Sequence, residues 1–391
     1  MHQPEPDVGT RVLHLSQPVD GGVARVVTDL ARAQLAAGLH VTVACPDSAL
    51  AEELRALGAD VRRWEATRSP GPSLPGEVRR LARLIDETHP ALVHAHSAKA
   101  GLAGRLAVRG RIPTVFQPHA WSFEAVGGAT AALALRWERF AARWAARLVC
   151  VSEAERATGT GAGIRGRWSV VPNGVDTGRF RPAPALAARK ALLPDLDPAA
   201  PLVVCVGRLC RQKGQDVLLD AWPDVVRKVP GARLVLVGDG PDRELLRAAA
   251  PGSVLFAGAV DDTVPWYRAA DLVALPSRWE GMALAPLEAL ACGRPVVATE
   301  VDGARESLPE ALAPRCLVPA GDPAALAGAV AGLLADAPLR ASLGAQGRRY
   351  VLSTHDVRRT AAAVADVYRE LLRAVPAPRV VPTESRESIH P

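Results

Sequence analysis

Short β-branched runs alternate with alanine- and leucine-rich helical stretches along almost the whole chain, and the alternation stops once and restarts. The first series opens with "RVLHLSQ" (11–17), a helical stretch from about Ala24 to Ala37, and "HVTVACP" (40–46). That order is strand, helix, strand. It continues through "ALVHAH" (91–96), a helical "KAGLAGRLAV", "PTVFQPH" (113–119), a helix near 131–146, "RLVCVS" (147–152) and "WSVVPNGVD" (168–176). Such alternation predicts an α/β chain whose parallel sheet is covered by helices on both faces. Proline and polar residues interrupt the period between Asp176 and Pro201. It then resumes with "PLVVCVG" (201–207), "ARLVLVGDG" (232–240), "VLFAGAV" (254–260), "DLVALPS" (271–277), "RPVVATE" (294–300) and "RCLVPA" (315–320). The chain therefore reads as two successive doubly wound, Rossmann-like domains, 1–185 and 186–355. A helix over 356–374 comes next, then a proline-rich tail, 375–391, expected to be disordered.

Bulk properties agree with two cores. The 391 residues are 49% hydrophobic and 23% charged, an ordinary globular balance. The net charge of +6 permits an anionic ligand, but its basic residues are scattered and lack an aromatic-plus-basic signature, which argues against nucleic acid. The six cysteines (Cys45, Cys150, Cys205, Cys210, Cys292, Cys316) form no zinc-type pair and read as buried thiols in a reducing compartment. The first ten residues lack an apolar signal core, and no apolar run reaches about 18 residues. A soluble, cytoplasmic protein is the expectation.

In open parallel sheets, ligands bind at the carboxyl ends of strands, where helix N-termini present unpaired amides. Every candidate motif falls there. Gly21 and Gly22 in "SQPVDGGVARVV" let a backbone approach a bound group closely. Arg208 and Lys213 in "CVGRLCRQKGQ" bring two cations suited to a diphosphate, one a planar fork and one a point charge. The "GDG" of "LVGDGPDREL" lacks the third glycine of a dinucleotide fingerprint, and Asp242 reads instead as a helix cap.

The stretch "SRWEGMALAPLE" (277–288) sets Glu280 and Glu288 eight positions apart. Eight positions on one helix would leave them about 80° out of line, so a single carboxylate stripe does not explain the spacing. A strand ending near Ser277 and a helix opened by Pro286 put Glu280 in the loop and Glu288 in the first helical turns. The amides of Gly281, Met282, Ala283 and Leu284 lie between them, suited to an anion.

These residues resemble the retaining glycosyltransferases of family 4, which have the two-Rossmann-domain GT-B fold. The resemblance rests on the Glu-x7-Glu motif, Glu280 and Glu288, joined in order by "DGGVARVV", "VSEAERA", "VVPNGVDTGRFRP", "VGRLCRQKG" and "LVGDGPDRELL". It implies that Arg208 and Lys213 bind a donor diphosphate, Glu288 the ribose, and Glu280 hydroxyls of the transferred sugar. It also implies that Gly21 and Gly22 close over the phosphates, that His119 lies near sugar and acceptor, and that the base rests near Ala259 and Val260. Ala283 stands where the family often has a second glycine. The C-terminal helix is expected to cross back to the first domain.

The resemblance further implies a metal-independent hexosyl- or N-acetylhexosaminyl-transferase, with no cofactor beyond the nucleotide-sugar donor; ribose and diphosphate contacts suit UDP and GDP alike, and a UDP-sugar is favoured. The implied setting is polysaccharide or glycoconjugate assembly. Alternatives are glycosylation of a small secondary metabolite, a sugar-nucleotide epimerase on the same fold, and a non-catalytic sugar-nucleotide binder. The first domain should read the acceptor through "HAHSAKAGLAG" (94–104) and "HAWSFEAVGGA" (119–129). A helix over 134–148, with Trp137, Phe140, Trp144 and Leu148 on one stripe beside four arginines, is a candidate peripheral contact with the inner face of a membrane bearing a lipid-linked acceptor. A domain helix that buries its aromatics is the competing reading.

Overall fold

The computed structural model describes residues 9–374. The tail 375–391 expected to be disordered lies outside them.

The first series forms β1 (Arg11–Ser16), α1 (Gly21–Ala36), β2 (His40–Cys45), α2 (Ala49–Ala56), β3 (Asp60–Arg63), α3 (Leu74–Thr88) and β4 (Leu92–His96). It continues with α4 (Ser97–Val108), β5 (Thr114–Gln117), α5 (Gly128–Ala141), β6 (Arg147–Cys150), α6 (Glu153–Gly161) and β7 (Trp168–Val170). The second forms α7 (Ala185–Leu192), β8 (Leu202–Val206), α8 (Gln215–Lys228), β9 (Arg233–Val237), α9 (Arg243–Ala249), β10 (Val254–Gly258) and α10 (Val264–Ala269). After it come β11 (Leu272–Leu275), α11 (Leu284–Ala291), β12 (Val296–Thr299), α12 (Ala313–Cys316), β13 (Leu317–Val318), α13 (Pro323–Ala335), α14 (Ala337–Thr354) and α15 (Val357–Arg373).

Two parallel sheets result, ordered β3-β2-β1-β4-β5-β6-β7 and β10-β9-β8-β11-β12-β13. In each, the order reverses beside the first strand, at β1/β4 and at β8/β11. A crevice opens where neighbouring connections leave in opposite directions, and ligands of doubly wound sheets bind there. Strands buried on both faces need continuous apolar runs, and "LVVCV" of β8 and "RLVLV" of β9 supply them.

Helix α15 returns to lie against α1 of the first domain. Its Tyr368 hydroxyl shares a 2.6 Å hydrogen bond with His94 Nδ1, and Glu370 accepts from Arg147 at 2.7 Å. The two chain crossings between the domains run side by side, because Val175 N donates to His355 O and Val357 N to Val175 O.

Four helices have no counterpart in the sequence pattern: α3, α6, α7 and the four-residue α12, which takes the start of the run read as a strand at 315–320. Helix α3 begins inside "SPGPSLPGE", which reads as loop, yet Pro75 sits in the first turn where it lacks no needed donor, and Leu81, Leu84 and Ile85 form a buried stripe. Helix α6 is rich in poor helix formers but starts on a Ser152 cap, and α7 lies inside the proline-rich junction. The helix expected over 134–148 is shorter: α5 ends at Ala141, a 3-10 turn covers Ala142–Trp144, and Leu148 is a buried residue of β6. The four apolar residues therefore do not share one helical stripe. Asp242 holds the cap position of α9 but makes no side-chain cap bond.

Candidate functional site

Glu280 lies in the loop after β11, and its environment is already ionic. Ser277 Oγ donates to Glu280 Oε1 at 2.8 Å, and Lys213 Nζ reaches the same oxygen at 2.5 Å. Lys213 comes from the 3-10 turn Arg211–Lys213 that follows β8, so the pair spans the β8/β11 switch point. An ammonium has three donors, and one spent on Glu280 leaves two. Two further contacts hold the loop: Arg278 pairs with Asp216 at the start of α8 at 2.6 Å, and Gln212 Nε2 of the turn donates to Trp279 O at 3.1 Å. The guanidinium of Arg208 makes no ion pair or hydrogen bond among the described residues, while its carbonyl accepts from Gln215 at 3.0 Å.

Glu288 sits in the second turn of α11, half-buried in a cavity shared with Arg25, Asp29 and Arg32 of α1 and with Asp176 and Arg179. Burial raises its carboxyl pKa above the usual range, opposed by a 2.7 Å hydrogen bond from the Tyr267 hydroxyl and by the charges of Arg25 and Arg179. Sequence reasoning missed Tyr267; a tyrosine on a short apolar helix carries no signal of its partner.

From the first domain, Gly21 and Gly22 begin α1, and a Cβ on Gly22 would stand 3.7 Å from Leu284 Cδ1. The N-termini of α1 and α11 therefore face each other across the cleft, and neither is capped by a side chain. Each presents unpaired N–H groups and the positive end of a helix dipole. Gly281, Met282, Ala283 and Leu284 likewise donate no hydrogen bond from their amides among the described residues. Ala259 and Val260 follow β10, where Gly238 N donates to Gly258 O at 2.8 Å and closes the ends of β9 and β10 together.

His119 follows β5 with φ at 58°, a left-handed conformation unusual for a histidine. A column of imidazoles runs inward from it. His119 Nε2 lies 3.1 Å from His96 Nδ1, His96 Nε2 lies 3.0 Å from His14 Nδ1, and His14 Nε2 lies 2.8 Å from Gln34 Oε1. Burial lowers His119 to about 3 and His14 to about 4, and pushes His94 and His96 well down, so the column is neutral at pH 7. Nitrogens of His14, His94 and His96 lie within 4.8 Å of one another, but the His94 and His96 rings stack at 4.0 Å. In-plane lone pairs of stacked rings run side by side, which favours a hydrogen-bonded column over a metal centre.

The structure places most of 94–104, expected to line the cleft, in the interior of the first domain. Lys99 is buried in a 2.6 Å pair with Glu77, and Arg105 in a 2.7 Å pair with Glu138 beneath α5. Most of 94–104 thus packs the interior; only its beginning reaches the cleft through the histidine column.

Two parallel sheets, each with its switch point turned to a shared cleft, and a returning C-terminal helix define the two-domain GT-B class. More than nine-tenths of the chain superposes on solved structures of that class. HepE from Anabaena, solved with UDP and glucose, is 24% identical, with a TM-score of 0.79 over 92% of this chain and 99% of that one. WaaG, a glycosyltransferase involved in lipopolysaccharide biosynthesis, is 19% identical with a TM-score of 0.70 over 91% of this chain and 99% of that one. Residues 20–179 match Glycosyltransferase Family 4, and residues 200–336 match Glycosyl transferases group 1. The chain belongs to glycosyltransferase family 4. Among curated relatives, the lipopolysaccharide core mannosyltransferase LpsB of Rhizobium meliloti is 35% identical over 52% of this chain and 61% of that protein. D-inositol 3-phosphate glycosyltransferase of Segniliparus rotundus is 40% identical over 52% of this chain and 47% of that protein. A GDP-mannose-dependent phosphatidylinositol monomannoside mannosyltransferase of Mycobacterium tuberculosis is 39% identical over 51% and 55%. The matched region spans about half the length of these relatives.

Proposed function

We propose that the protein is a retaining, metal-independent glycosyltransferase that moves a hexosyl or N-acetylhexosaminyl unit from a nucleotide sugar to a hydroxyl acceptor in glycoconjugate or polysaccharide assembly. The Lys213–Glu280 pair at the switch point carries this reading. Arg208, the remaining Lys213 donors and the open amides of the 281–284 loop stabilise the departing nucleoside diphosphate, whose charge grows as the sugar bond breaks. Glu280 gives Oε1 to Lys213 and Ser277, which leaves Oε2 to accept from a sugar hydroxyl rather than to attack carbon. Glu288 holds the ribose hydroxyls. The acceptor oxygen enters on the face the diphosphate leaves, and the leaving phosphate takes its proton, so configuration is retained. His119, neutral at pH 7, orients the sugar or acceptor by hydrogen bonding instead of supplying a charge.

A UDP-sugar is the favoured donor, the nucleotide with which the similarly folded HepE was solved. GDP-mannose is the competitor, favoured by relatives whose names carry it. Incubation with UDP-glucose, UDP-galactose, UDP-N-acetylglucosamine and GDP-mannose, with and without lipid-linked and soluble acceptors, should release one nucleoside diphosphate. No release from any donor sinks the proposal.

Contact with an anionic membrane belongs to the same reading. Among the described residues no single helix is long and apolar enough to cross a membrane. The α5 region does expose Leu133 (68%) and Phe140 (44%) beside Arg136 and Arg143. Co-flotation with phosphatidylglycerol vesicles, lost in Leu133→Ser/Phe140→Ser, is the expected result; no flotation of the wild type removes this part.

A further inference from the structure

Apart from Asp176 in the Glu288 cavity, two motifs of the first domain, "VSEAERA" and "VVPNGVD", have no part in the site as described, and both touch the loop between the two glutamates. Ser152 Oγ donates to Gly281 O at 2.8 Å while accepting from Glu155 N at 3.0 Å. Asn173 Nδ2 donates to Met282 O at 2.7 Å. Both bonds cross from one domain to the other. A third crossing lies beside them: Glu306, after β12, accepts from Glu153 N at 2.8 Å and Ala154 N at 2.9 Å. Its carboxylate thus closes the N-terminus of α6 from outside, where negative charge is favoured. Thr158 adds a 2.7 Å bond to Asp302.

A trans peptide points its carbonyl and the following N–H in opposite directions. The peptides after Gly281 and Met282 are trans. Holding Gly281 O on Ser152 therefore turns the Met282 amide away from the first domain's clasp, and holding Met282 O on Asn173 does the same to the Ala283 amide. Two successive amides end up on one side, with no protein acceptor for either among the described residues. Successive N–H groups sharing a side make an anion-binding concavity.

We propose that Ser152 and Asn173 are positioning residues that complete the diphosphate site of the opposite domain, with Glu306 as the latch that keeps them in reach. The proposal rests on the donor reading above. The diphosphate amides are thus set by bonds that come from the opposite domain.

The test is isothermal titration of the full chain with UDP and UMP, and in parallel with GDP and GMP, because the oriented amides act on the second phosphate. Ser152→Ala, Asn173→Asp and Glu306→Gln should each weaken diphosphate binding by about tenfold to a hundredfold while leaving the monophosphate unchanged. Ser152→Thr, which keeps the hydroxyl for both of its bonds, should restore it. Equal losses for diphosphate and monophosphate, or no loss, overturn the positioning role. A wild-type chain that binds neither diphosphate overturns the donor reading and this inference with it, whereas wild-type binding with insensitive variants overturns the inference alone.

Discussion

Glu280 and Lys213 share a 2.5 Å contact with side chains 10% and 26% exposed, so removing either leaves the other's charge poorly solvated. Lys213→Ala should lower kcat by about 100- to 1000-fold, the range for losing one donor aimed at developing charge. Nucleoside diphosphate release read on each variant checks this, and wild-type kinetics would end the assignment. Glu288→Ala should raise the donor KM by about tenfold or more, as expected for a lost charged hydrogen bond, with a smaller effect on kcat. Tyr267→Phe removes only the 2.7 Å bond that orients the carboxylate and should raise KM less. An unchanged donor KM in Glu288→Ala would exclude the ribose role. The eight-residue spacing singled out the two glutamates because loop and helix boundaries follow from local chemistry. It could not show that Glu280 spends an oxygen on a lysine 67 positions earlier, nor that Ser152 and Asn173 hold two carbonyls of the loop. Such partnerships come from the crossing of chain segments and leave no periodic trace.

At the level of elements, the imidazole column on β1, β4 and the end of β5 makes stability depend on pH. In an unfolded chain these histidines ionise near pH 6.5, whereas burial lowers His14 to about 4 and His119 to about 3, with His94 and His96 also lowered. Below about pH 6.5 the unfolded state binds protons the folded state refuses, so stability falls as pH falls toward 4. Each histidine can contribute up to about 1.4 kcal/mol per pH unit. Urea midpoints measured from pH 7 to pH 5 should drop, and less steeply in His14→Gln. Glu155 acts in the opposite sense: burial pushes its carboxyl up to about 8, so its contribution is present below the unfolded pKa of about 4.5 and is lost as pH rises to 8. Glu155→Gln should gain stability at pH 8 relative to pH 5; the reverse would show that the carboxylate is ionised in place. Strands were legible because burial on both faces demands unbroken apolar runs, as in "LVVCV". Helices α3, α6 and α7 were not, because proline, glycine and threonine mask their pattern and tertiary packing sustains them instead.

For the molecule as a whole, any turn of one domain against the other passes through the point where the chain crosses between domains twice. Val175 lies between His355 and Val357 there, bonded to both, and His355 Nδ1 shares a 2.9 Å bond with Asn173 O. The same crossing therefore fixes Asn173, which clasps the 281–284 loop. Gly174 sits at its tightest point: a Cβ would lie 2.7 Å from Val357 Cα and 2.6 Å from Thr360 Oγ1. Backbone on the far side cannot yield as a flexible side chain would, so Gly174→Ala should push the two crossings apart. The cost should resemble overpacking, about 1–3 kcal/mol in a urea titration. The displacement should also carry Asn173 away from Met282, weakening diphosphate binding beyond what lost stability explains. If Gly174→Ala lowers stability yet binds UDP or GDP as the wild type does, the crossing is a structural joint alone. If both fall together, the pivot and the phosphate site are mechanically one unit, as the bonds through Asn173 require.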